Sequence, residues 1–274
     1  MYGFTFIPDI NKSNYDINTL LKVKTAPIIE IPKEIVEQMK MGDGTTEYVH
    51  TGIYEDREIK LECNYVEENK RAWTDKATMI NRYFGNRKGI LRLMSDDQEH
   101  YYKVKNVKID ISKRNKGIGC ELSIAFICDP YRYLNEFLEP VMIDTDKTHT
   151  FINAYEDCCP LYRIENMSPE AEELIIMNNK RRMVIHNPFS FVRITSGVEE
   201  QYDIDYIEID TENEFLKRVG KGANLETGYR VTYDTVKTEG LFDNLKFKTG
   251  ENKIESTIDK GAVTLQIMRN YREI

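Results

Sequence analysis

The chain has 274 residues, of which 41% are hydrophobic and 31% charged, and its formal net charge is -8. That length suits two domains better than one small core, and 17 tyrosines and 11 phenylalanines set it apart from disordered compositions. Residues 1–140 carry 21 Lys and Arg against 22 Asp and Glu, and residues 141–274 carry 17 against 24, so neither half has the basic surplus of a nucleic-acid binder.

The opening stretch, "MYGFTFIPDINKSNYDIN", has no basic region followed by an apolar core and a cleavage site. No apolar run approaches the ~20 residues of a membrane span, so the expectation is cytosolic synthesis without membrane insertion. Residues 19–31 read as extended pieces broken by Pro27. Residues 39–52 contain Gly42-Asp43-Gly44, a hairpin tip or loop. In "DREIKLECNYV", Ile59, Leu61, Cys63 and Tyr65 alternate with Lys60, Glu62 and Asn64, the pattern of a half-buried strand. The period then changes: Trp73, Ala77, Ile80 and Phe84 fall on one helical face, with Gly85 as a stop and Trp73 expected as a core anchor.

Residues 88–130 predict three strands separated by turns at Ser95–Glu99 and Lys113–Gly117. Alternation is clear in Val107-Ile109-Ile111 and in Cys120-Leu122-Ile124-Phe126-Cys128. Short turns argue for an antiparallel sheet packed on the helix. The last of these strands stops at Asp129-Pro130, because proline removes a ladder donor and holds its predecessor extended. Irregular text with Pro140 follows, giving domains of 1–138 and 139–274. The second half is a series of short β-rich runs punctuated by Asn, Gly, Asp and Pro, the pattern of a β-sandwich. "ENEFLKRVG" is at most a short helix. The fold class is therefore mainly β, an α+β first domain with one main helix followed by a sandwich.

Chemistry is sparse. No phosphate loop, dinucleotide fingerprint or nucleophile elbow occurs. His50, His100, His149 and His186 are scattered and read as surface residues. Five cysteines, Cys63, Cys120, Cys128, Cys158 and Cys159, form no C-x-x-C and read as reduced, buried thiols, the vicinal pair Cys158-Cys159 leaving a redox or metal reading open. Asp96-Asp97 sits in a predicted turn. In "DIDYIEID", Asp203 and Asp205 share one strand face while Glu208 and Asp210 share the other, which argues for a solvated strand over calcium binding or glycosidase chemistry. Tyr202, Tyr206, Tyr229 and Tyr233 are either ordinary strand residues or a sugar-binding face. No catalytic, cofactor-binding or metal-binding residue is assigned, and no cofactor is expected.

Several stretches, taken in order, resemble the distal tail protein family of long-tailed phages, a siphovirus tail component. They are "GIYEDREIKLECNYV", the helix from Trp73 to Phe84, "GILRLMSDDQEHYYKVKNVKIDI", "LSIAFICDPYRY", "CCPLYRIEN", "YDIDYIEIDTEN" and "LFDNLKFKTGENKIE", the last with a turn at Gly250-Glu251-Asn252. The resemblance spans essentially the whole chain. It implies a non-enzymatic virion protein, a homohexameric ring formed by the first domain and a galectin-like second domain projecting outward. Its implied partners are the tail tube protein, the tail-tip or tail-associated lysin protein, and receptor-binding or baseplate proteins. DNA would cross the ring without specific binding. The second reading is a carbohydrate-binding module that attaches the particle to a host surface glycan. The sandwich shows no long inserted carbohydrate-binding module, and fold likeness to galectin does not imply lectin activity.

Overall fold

The computed structural model describes residues 2–9, 17–66, 72–95, 97–115, 119–135, 139–166, 170–186, 192–195, 198–201, 204–221, 229–233, 238–261 and 263–274. The chain divides into two compact units, Met1–Asn135 with Ile274, and Glu136–Glu273.

In the first unit the strands are β1 (Phe4–Pro8), β2 (Leu21–Val23), β3 (Ile28–Ile29), β4 (Glu34–Lys40), β5 (Thr46–Tyr54), β6 (Arg57–Val66), β7 (Gly89–Leu93), β8 (Asp97–Asn115), β9 (Gly119–Cys128) and β10 (Arg132–Leu134). The main sheet runs β1-β7-β8-β9-β6-β2, with β3 on β6 and β10 on β8, and the pairs for which register is defined are antiparallel. Strict alternation directs its packing. Ile59, Leu61, Cys63 and Tyr65 of β6 and Leu122, Ile124, Phe126 and Cys128 of β9 point into the core. The single described helix, α1 (Trp73–Phe84), closes that face. Phe4, Phe6, Phe84 and Phe126 meet at its centre with ring centroids 5.3–6.5 Å apart. Gly89 is required where β7 meets β1, since a Cβ there would lie 2.2 Å from the Ile7 carbonyl oxygen.

Two local expectations in this unit need correction. The buried stripe of α1 is Lys76, Met79, Ile80, Tyr83 and Phe84, whereas Trp73 is only half-buried. The Trp73 ring lies against the edge of the core with the Arg114 guanidinium 5.0 Å from its centroid, because the 3.6-residue period rotates the first turn of the helix toward the sheet margin. Strand β8 continues through Asn115, absorbing the expected turn at Lys113 by a bulge between Ile111 and Lys113.

The second unit contains β11 (Val141–Ile143), β12 (His149–Asn153), β13 (Leu161–Glu165), β14 (Glu173–Asn178), β15 (Arg181–His186), β16 (Val192–Thr195), β17 (Val198–Gln201), β18 (Ile204–Asp210), β19 (Phe215–Lys221), β20 (Tyr229–Tyr233), β21 (Thr238–Glu239), β22 (Gly250–Ile258) and β23 (Thr264–Met268). One sheet runs β11-β23-β13-β18-β19-β20 and another β12-β22-β14-β15-β21, while β16 and β17 form a separate hairpin. "ENEFLKRVG" is thus the strand β19 and not a helix: pairing on both sides, with β18 and β20, overrides its helix-compatible composition. Each large sheet buries one face, with Tyr162, Ile164, Ile207, Ile209, Leu265 and Ile267 from the first and Leu174, Ile176 and Ile254 from the second. The Tyr162 hydroxyl crosses this layer to donate to the Leu245 carbonyl at 2.7 Å, in a short turn packed on β14 and β15. The chain is mainly β, built from antiparallel sheets.

Candidate functional site

Two features of the first unit stand out, a buried polar knot behind the Asp129-Pro130 corner and the β4–β5 hairpin. At the corner, the Asp129 N–H still pairs with the Lys103 carbonyl at 2.9 Å, and then Pro130 ends the ladder. The Pro130 carbonyl accepts the Arg57 Nε–H at 2.8 Å and a second bond from Arg57 Nη2. Tyr133 donates to the Asp129 carboxylate at 3.0 Å, and Lys105 approaches the same group at 2.8 Å. A strand stop written in two residues is therefore held by side chains from three other strands.

Next to it lies Asp97. Its Oδ1 is 2.5 Å from His100 Nδ1, its Oδ2 accepts the Tyr102 hydroxyl at 2.7 Å, and Arg132 stands 3.8 Å away. The Arg57 guanidinium lies 5.6 Å from the Tyr102 ring centroid. Burial draws the Arg57 guanidinium below its ordinary value, and burial followed by the Asp97 hydrogen bond pushes the Tyr102 hydroxyl well up. Both Asp97 oxygens are occupied, so the carboxylate acts as an acceptor that ties strand ends together. A shallow cavity of about 370 Å³ opens between Ile29–Pro32 and Arg57, Asp97, Tyr102 and Arg132.

This knot corrects two sequence readings. His100 is 6% exposed and is not a surface residue. Asp97 starts β8, with a side chain 9% exposed, and does not sit in an open turn. Both are buried because β10 folds back on β8, pairing Leu134 with His100 and Tyr133 with Tyr101, and nothing local in the sequence records that pairing.

The other histidines lie apart. His50 is exposed in β5 and bonds Glu34 at 2.8 Å, His149 Nε2 accepts the Asp144 N–H at 3.2 Å, and His186 lies between Glu173 and Glu239 at 3.3 and 3.1 Å. The carboxylates of "DIDYIEID" are likewise dispersed. Asp205 sits at a bulge, Glu208 pairs with Lys217, and Asp210 accepts the N–H groups of Glu212 and Asn213, both at 2.9 Å. Tyr206 stacks under Arg163, whose guanidinium is 3.8 Å from the ring centroid. Asp203, Tyr202 and the side chains of Tyr229 and Tyr233 lie outside the described residues. None of the five cysteines forms a disulfide, and Cys63, Cys120, Cys128 and Cys158 are buried. Burial pushes Cys63 up to about 12 and Cys120 to about 11, which removes their thiolate character. Among the described residues no group of three or more His, Cys, Asp or Glu is placed to hold a metal ion, and no helix is long and apolar enough to cross a membrane.

The β4–β5 hairpin is built differently. Among the described residues its strands pair only with each other, from Glu34↔Tyr54 to Lys40↔Thr46. The tip turns at Gly44, whose φ of +84° is in the left-handed region, and the Asp43 carboxylate accepts the Thr45 N–H at 2.9 Å. The base is pinned by the Glu34 carboxylate, which takes the Gly52 N–H at 2.9 Å, and by Glu55 N–H on the Lys33 carbonyl. Between those anchors Ile35, Val36, Met39, Met41, Tyr48, Val49 and Ile53 are all exposed.

With this architecture in view, comparison with solved structures finds similar chains, among them two matched over their full length. A chain of the phage P2 baseplate, in its activated conformation with Ca, is similar at a TM-score of 0.51 and 10% identity, with 100% of this chain and 98% of that chain covered. The hub protein SPP1 Dit, of phages infecting Gram-positive bacteria, aligns over 100% and 98% of the two chains at 11% identity and a TM-score of 0.48. No family model matches the chain, and no curated protein matches it. The fold is thus one that also occurs in a phage baseplate.

Proposed function

We propose that this chain is a structural, non-catalytic component of a phage tail tip, a hub of the distal-tail-protein kind resident in the virion. The observation that carries this reading is the end-to-end correspondence with the P2 baseplate chain, which spans both units and 98% of that chain. In the finer form of the reading, the first domain, residues 1–138, closes a homohexameric ring that joins the tail tube to the tip. The second, residues 139–274, is galectin-like and holds receptor-binding or baseplate proteins. The near-neutral first half suits a channel that DNA crosses without adhering, since each neutralised phosphate would strengthen retention.

Light scattering and negative-stain imaging of the purified full chain test the ring. The expected outcome is a mass near six times the 32.1 kDa of one chain, with six-fold particles around a central hole. A mass of one chain at every concentration, unchanged by adding a tail tube protein, would remove the ring from the reading.

A further inference from the structure

We propose that the cavity beside the Asp129-Pro130 knot is a binding site for a small monocarboxylate with an apolar body. The inference concerns the first unit alone and does not depend on the ring or on the hub reading.

The carrying observation is a buried charge without a counter-ion. Arg57 is 5% exposed, and its guanidinium meets the Pro130 carbonyl and the Tyr102 ring but forms no ion pair among the described residues. Buried cations are rare unless paired, because taking a charge out of water is costly. Asp97 lines the same cavity, but its two oxygens are already engaged by His100 and Tyr102. The Pro130 carbonyl engages Nε and Nη2 of Arg57, which leaves the Nη1 donors for a further acceptor.

The lining then selects the ligand. Arg57 opens on a cavity of about 370 Å³, a size within the range of small-molecule sites. Arg132 adds a second guanidinium, and Ile29, Ile31 and Pro32 supply an apolar wall. The planar guanidinium fork matches a carboxylate, and the wall suits a hydrocarbon body attached to it. Glu30 and Asp97 also line the space, and their charge disfavours a doubly charged anion. The lining is fixed before any ligand arrives, so little ordering is needed on binding. Ile29 pairs with Ile59, the Glu30 N–H donates to the Glu58 carbonyl at 3.1 Å, and the Pro130 carbonyl holds Arg57 in place.

The test titrates the full chain with hexanoate, hexanol and inorganic phosphate. Binding is followed by calorimetry, and melting by the fluorescence of Trp73, the one tryptophan of the chain, which lies in the first unit. Hexanoate should bind and raise the melting temperature read at Trp73. Hexanol, with the same body and no charge, should bind roughly tenfold more weakly or worse. Arg57→Met should abolish hexanoate binding. If that variant does not fold, Ile31→Asp supplies the same reading. Residue 31 is 85% exposed, and an acid at that rim should weaken hexanoate by roughly tenfold while leaving the core untouched. No binding of hexanoate to the folded parent overturns the proposal. Equal binding of hexanol overturns the carboxylate, and tighter binding of phosphate overturns the ligand class. Hexanoate affinity unchanged in folded Arg57→Met, or in Ile31→Asp, puts the ligand elsewhere and overturns the site.

Discussion

The body of the first unit and its β4–β5 arm have similar β-forming composition and opposite burial. In β6, "REIKLECNYV" alternates buried and open at every step, and in β4, "EIVEQMK" has no buried residue at all. Isoleucine, valine and methionine occur in both. What differs is whether a second layer lies against the strand. The body has α1 and the aromatic cluster around Phe126, while among the described residues no second layer covers the arm, whose base alone meets the body through Tyr54 and Tyr131. The lesson is that strand propensity reports a backbone state, and alternation reports a partner within the same unit.

The most direct way to break the comparison is to empty the body. Phe126→Ala removes a ring that meets Phe4, Phe6 and Phe84, and it should cost about 3–5 kcal/mol, read by urea denaturation followed through a signal from the first unit. Met39→Lys and Tyr48→Lys in the exposed β4–β5 arm should each change stability by less than about 0.5 kcal/mol in the same experiment. An equal loss from both would show that the arm is packed as part of the core.

A smaller effect is expected at the polar knot. Asp97→Ala leaves Tyr102 and His100 without their shared acceptor and should destabilise the first unit by about 3 kcal/mol. Asp97→Asn should recover part of that loss by keeping an acceptor for Tyr102. If Asp97→Ala costs nothing, the knot is not what fixes the Asp129-Pro130 corner.

The smallest effect sharpens the contrast with the second unit. The Asp259 carboxylate accepts the N–H of Glu173 and of Glu172, each at 3.0 Å, and the bond from Glu173, chiefly, holds it below its ordinary 3.8. A lowered folded value means the stabilisation is present above pH 3.8 and is lost as the pH falls through the folded value below that. Melting curves between pH 5 and about pH 2 should therefore show an acid-dependent loss in the parent that is reduced in Asp259→Asn. Identical slopes would assign the loss to other carboxylates.

The sequence by itself determined what depends on neighbours along the chain. The helix over Trp73–Phe84, the inward sets of β6 and β9, and the stop at Asp129-Pro130 all follow from local period or from proline's missing donor, whereas of Val107, Ile109 and Ile111 on β8 only Val107 is buried. The order of β-rich runs in the second half is local in the same sense. Tertiary structure decided the rest. His100 and Asp97 are buried only because β10 returns to β8, and the knot draws on residues 57, 97, 100, 102 and 129–133, which no local pattern links. "ENEFLKRVG" became a strand because partners waited on both sides. Gly42-Asp43-Gly44 announced a tip, but the exposure of both arms below it follows from what does not pack there, and packing between distant segments is the one quantity that period and propensity leave open.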